Sequence, residues 1–137
     1  MEQNWSAARC HYVVYFTAMY CDEDVAPQEQ AAFEALVRRV PCIRELSDET
    51  IENFKKRTQW ACDAGLLDEE LERALSGLNA DTVTGLSIYA NCADIIRADR
   101  KIRSSEVRFM DKVSKALGIP EMQRALIEKV MDAKNRH

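Results

Sequence analysis

Asp99-Arg100-Lys101-Ile102-Arg103-Ser104-Ser105-Glu106 repeats, 77 residues on, the layout of Asp22-Glu23-Asp24-Val25-Ala26-Pro27-Gln28-Glu29. The register holds on both sides of these turns. Downstream, Phe33, Leu36 and Val40 align with Met110, Val113 and Leu117, and upstream Tyr12, Tyr15 and Met19 align with Tyr89, Cys92 and Ile96. Each copy therefore reads as helix, acidic turn, helix, an internal repeat of one supersecondary unit.

Working outward from the turns, apolar residues recur at spacings of three and four, and no stretch alternates as a strand would. Phe33, Leu36, Val37 and Val40 make one stripe, and Val107, Met110, Val113 and Leu117 make its counterpart. The segment from Trp5 through Ala8, Tyr12, Tyr15, Phe16 and Met19 to Tyr20 is apolar around much of its circumference, the mark of a central helix. Val83, Leu86, Tyr89, Ala90, Ala93 and Ile96 form the matching helix, with Asp81 as its N-cap. Between the copies, Ser47 followed by Asp48 and Glu49 starts a helix that ends near Gly65. Asp68 caps a shorter one through Leu71, Leu75 and Leu78. Gly118 before Pro120 is a stop and a fresh start, and the last helix is expected to bury Met122, Ala125, Leu126 and Val130. The fold expected is all-α, a bundle of about seven helices in one domain spanning 1–137, built from two pseudo-symmetric helix-turn-helix halves.

Composition narrows the function. An apolar content of 47% and a charged content of 31% are those of an ordinary globular protein. A net charge of −4 argues against a sequence-independent grip on nucleic acid. No apolar run approaches the roughly 18 residues of a transmembrane span, and the first residues lack the layout of a secretory signal. A cytoplasmic location is expected. The five cysteines never form C-x-x-C, and the two histidines stand apart from any such pair, so neither a zinc site nor a Cys-His nucleophile is indicated. Gly-rich phosphate loops, G-x-S-x-G and H-E-x-x-H are absent, which points away from an enzyme.

The repeated turns are the one place where chemistry concentrates, and two readings compete there. In the first, Ala26 and Arg103 are N-caps. Glu29 and Glu106 then fall at the third helical position and reach back to the cap amide as half of a capping box. Pro27 fits the first helical position. In the second, Asp22, Asp24, Glu29, Asp99 and Glu106 supply hard oxygen ligands for Ca2+ or Mg2+. An EF-hand is excluded, because its loop needs Gly at position 6 and Glu at 12, whereas the twelfth residue from Asp22 is Phe33. The charges of the two turns differ. Residues 22–29 hold four acids and no base, while 97–115 hold seven Lys or Arg against three acids. That contrast favours a salt link between the halves, or between molecules, over two bound ions.

The run Arg97-Ala98-Asp99-Arg100-Lys101-Ile102-Arg103-Ser104-Ser105-Glu106, leading into Phe109-Met110 and Ala116-Leu117-Gly118-Ile119, resembles the TerB-like (tellurite resistance) family. Tyr20-Cys21-Asp22-Glu23-Asp24-Val25-Ala26-Pro27-Gln28-Glu29 is its degenerate first copy, and the resemblance covers about residues 8–134. Two departures stand out: Glu23 and Arg100 replace the Gly that follows each motif Asp, removing the backbone freedom of a tight turn. The resemblance implies a helical bundle of two related halves, a cytoplasmic role in tellurite, metal or oxidant stress, no catalytic activity and divalent-ion binding in some members. Protein partners, a homodimer among them, are the expected ligands. The competing expectation is a helical adaptor whose acidic turns are only caps.

Overall fold

A computed structural model describes residues 5–21, 25–78, 81–99 and 103–135, without the side chains of Thr82 and Asp99. Within them the chain forms eight α-helices and no strand: α1 (Ala7–Tyr20), α2 (Pro27–Arg39), α3 (Pro41–Arg44), α4 (Asp48–Asp63), α5 (Leu67–Gly77), α6 (Thr82–Ile96), α7 (Ser104–Leu117) and α8 (Glu121–Lys134). A 3-10 turn, Arg97–Asp99, extends α6. The helix beyond the expected seven is α3, a single turn started by Pro41, whose fixed φ suits a first helical position.

Local chemistry sets the helix ends. Ser6, Ser47 and Asp81 each accept a hydrogen bond from the amide three residues on, at 3.2, 3.2 and 2.7 Å. Gly118 ends α7 at φ +66°, a left-handed conformation that costs a residue with a Cβ about 1–2 kcal/mol. Asp68 is not the cap of α5. Leu66 holds that position, and Asp68, Glu69 and Glu70 lie in the first turn, where the helix dipole favours negative charge.

The core is organised around α1. Every residue from Tyr12 to Met19 is buried, because this helix packs against α2, α3, α4, α5 and α6. Its most extensive contact is with α5, where a methyl group added at Gly77 would meet the Cys10 sulfur at 3.0 Å. Tyr12, Phe16, Phe33 and Phe54 form an aromatic cluster with ring centroids 5.4–6.2 Å apart. In the second half, α6 packs against α1, α7 and α8. Phe33, Leu36, Tyr89, Met110 and Val113 are buried as expected, while Leu117 is half-buried against the core.

Two faces differ from the periodicity reading. The buried stripe of α7 runs through Glu106, Phe109, Met110 and Val113, leaving Val107 at the surface. In α8 the expected apolar face is the outer one: Met122, Leu126 and Val130 are 80%, 62% and 59% exposed. The inner face carries Arg124, Ile127, Glu128 and Met131. Arg124 and Glu128 are drawn inward by charged and hydroxyl partners on α6, α7 and the 3-10 turn, and charge-assisted bonds of this kind fix a helix's rotation. Val83, expected in the α6 stripe, is likewise exposed.

Candidate functional site

The two turns solve the same local problem. Ala26 and Arg103 have extended backbones ahead of α2 and α7, so each offers an amide that no helical carbonyl can satisfy. Glu29 Oε1 accepts from the Ala26 amide at 3.2 Å, and Glu106 Oε1 accepts from the Arg103 amide at 2.9 Å. Both glutamates are 0% exposed. A carboxylate removed from water is costly unless hydrogen bonds or charges surround it. The cap amide supplies one such contact in each copy, and the Arg103 guanidinium stands 4.0 Å from Glu106.

Glu29 and Glu106 thus sit inside the fold as caps. Asp22 and Asp24 lie outside the described residues, as does the Asp99 side chain. Among the described residues no group of three or more His, Cys, Asp or Glu side chains is assembled that could hold a metal ion. Glu23, Arg100 and Lys101, the other charges of a link between the turns, also lie outside the described residues.

A second repeated feature was visible only in part along the chain. Tyr12 and Tyr89 are 77 residues apart, and so are Glu34 and Asp111. In the second half these two are joined by an arginine from α8. Arg124 Nε donates to the Tyr89 hydroxyl at 2.7 Å, and its Nη1 lies 2.5 Å from Asp111 Oδ1. Glu128 is 3.7 Å from the same guanidinium, and Arg97 holds Glu128 and Asp132 at 3.6 and 3.5 Å. Burial pushes the Tyr89 hydroxyl up to about 12, and the Glu128 carboxylate adds to the shift.

In the first half the corresponding space is open. A groove of about 740 Å³ runs between α2 and α4 over the aromatic face of α1, with Tyr12, Phe16 and Phe33 in its floor. Glu34 on α2 and Glu52 on α4 line it from opposite sides. Burial raises the Tyr12 hydroxyl above its usual range, and Glu52 and Glu34 add to the rise. The Tyr12–Tyr89 alignment is legible in the sequence; the role of Arg124 is not, because it acts from a helix outside the repeated pattern. A second cleft of about 470 Å³ lies between the ends of α1 and α4 and the starts of α5 and α7, lined by Cys21, Cys62, Asp68, Arg108 and Lys112.

The model of the family described as Tellurite resistance protein TerB matches residues 11–129. No curated protein and no solved structure matches the chain significantly.

Proposed function

The chain belongs to the TerB family, and we propose that within it the protein works without catalysis, binding partner proteins in a tellurite, metal or oxidant stress response. The observation that carries this reading is the family match across residues 11–129. The geometry of the turns supports the adaptor element of it, since Glu29 and Glu106 serve helix starts from inside the core.

A divalent ion, Ca2+ or Mg2+, belongs to the same proposal at the first turn. Its support is the charge of residues 22–29, four acids with no base, a donor set suited to hard cations. The second turn is the weaker candidate, because Arg100, Lys101 and Arg103 oppose a cation there.

The test pairs a phenotype with a binding readout. A strain lacking the protein is challenged with tellurite and with peroxide, then complemented with the wild-type chain, while cross-linked partners are recovered before and after stress. Greater sensitivity restored by the wild type, together with partners that increase on stress, is the expected result. Unchanged sensitivity and no recovered partner would end the proposal.

A further inference from the structure

The second half displays a finished arrangement whose counterpart in the first half lacks one component. Around Arg124 stand a tyrosine hydroxyl, Tyr89, and two carboxylates, Asp111 and Glu128. Tyr12 and Glu34 occupy the positions 77 residues earlier, and Glu52 lies one position off that register from Glu128. All three line the groove between α2 and α4. No cation joins them: among the described residues neither Glu34 nor Glu52 is ion-paired, and Glu34 accepts only from Gln30, at 3.4 Å. Arg38, Arg44 and Lys55 stand at the groove without reaching ion-pair distance of either carboxylate.

Tyr12 differs from Tyr89 in its partners. Its side chain is 2% exposed, yet among the described residues its hydroxyl has no hydrogen-bond partner. That hydroxyl opens onto the groove, whereas the Tyr89 hydroxyl is held by Arg124. The cover differs between the halves as well. In the second half α8 lies along α6 and sends Arg124 across to α7, whereas α4 packs on α1 and α5 and scarcely touches α2. The groove therefore lies in the gap between α2 and α4, floored by aromatic rings, with Glu34 and Glu52 on its opposite walls and Arg38, Arg44 and Lys55 also in its lining.

We propose that this groove is the docking site for an amphipathic helix of another protein that carries an arginine on its apolar face, the guanidinium seating between Glu34 and Glu52 over the Tyr12 hydroxyl. Arginine suits the position because its planar fork serves a hydroxyl and two carboxylates at once, as Arg124 does, and a lysine ammonium would do so less well. The apolar face of the helix would cover Tyr20, Val25, Leu46 and Ile51, the half-buried apolar residues of the groove, in the helix-in-groove mode of recognition. This deepens the partner-binding reading above and rests on it for its biological role, though not for its chemistry.

The chain's own α8 is the natural probe. A synthetic peptide of residues 120–135, end-blocked, is titrated into the isotope-labelled full chain and followed by amide shifts and by anisotropy of a labelled copy. Saturable shifts at Tyr12, Phe33, Glu34 and Ile51 are expected. Arg124→Gln in the peptide, or Glu34→Gln with Glu52→Gln in the protein, should weaken binding at least about tenfold, and Tyr12→Phe by a smaller factor. The carboxylates are exposed, so those variants keep the fold.

No groove shifts at large peptide excess, shifts confined to the Tyr89 side, or equal binding by the Arg124→Gln peptide would each overturn the proposal. Self-association of the full chain that is lost in Glu34→Gln with Glu52→Gln would transfer the groove to a second copy and overturn it as well. Partners recovered from stressed cells equally well by that double variant would remove the groove while leaving the partner-binding reading intact. Peptide binding at the groove, with no partner recovered from cells, would do the reverse.

Discussion

The Tyr89 hydroxyl accepts a 2.7 Å hydrogen bond from Arg124, and this contact ties α8 to α6 through a side chain only 13% exposed. Hydrogen bonds to charged groups contribute more than neutral ones, so Arg124→Met should destabilise by about 1.5–3 kcal/mol in urea unfolding. Leu126→Ala, on the outer face of the same helix, should change stability by no more than about 0.5 kcal/mol. Equal effects would show that α8 is held by its apolar ridge instead.

The turn glutamates should behave as caps. Glu106→Ala is expected to cost about 0.5–2 kcal/mol, with Glu29→Ala similar, since each leaves a helix-start amide without its acceptor. Glu106→Gln retains an acceptor oxygen and should cost less than Glu106→Ala. Thermal melts of the three variants decide it, and a Gln variant as damaging as Ala would mean that the charge matters more than the cap.

His11 sets a pH dependence. Its Nδ1 lies 3.0 Å from the Tyr15 hydroxyl, which also accepts from Asn91 at 3.1 Å. The tyrosine proton is then free to point at an unprotonated imidazole, and burial lowers the His11 pKa. Below about pH 6.5 the unfolded chain takes up a proton that the folded chain resists. Stability is therefore full above that pH and falls as pH drops from it towards the lower folded value. His11→Gln should flatten this part of the curve, measured by urea midpoints between about pH 7 and 5. A midpoint insensitive to pH across the window in the wild type would contradict the assignment.

For a divalent ion, calorimetric titration with Ca2+ and Mg2+ should show binding that vanishes in Asp22→Asn with Glu29→Gln and survives Asp99→Asn. Binding abolished only by Asp99→Asn would reverse the preference for the first turn. Absence of heat in the wild type would leave the adaptor reading alone.

Much of the architecture was legible because it depends on one-dimensional regularities. The 77-residue register identified both central helices and both caps, and apolar spacing placed Phe33, Tyr89, Met110 and Val113 in the core. Where the reading failed, polar contacts overrode periodicity. Met122, Leu126 and Val130 look like a buried stripe, yet α8 turns the other way because Arg124 and Glu128 find partners on other elements, which no local pattern reveals. The groove was illegible for the same reason. Its significance lies in a partner that Tyr89 has and Tyr12 lacks, a comparison between distant side chains.

The placement of α1 has a consequence for how the protein comes into being. This helix leaves the ribosome before α5 and α6, yet its buried residues, Tyr12 to Met19, are fully covered only when those later helices close over it. At about 5–20 residues per second, the sides of α1 that face α5 and α6 stay uncovered for several seconds of synthesis. Nascent chains arrested near residue 60 should therefore be sticky and protease-sensitive, and those arrested well past residue 96 should be resistant. The helix that centres the finished molecule is the one that a growing chain must shield the longest.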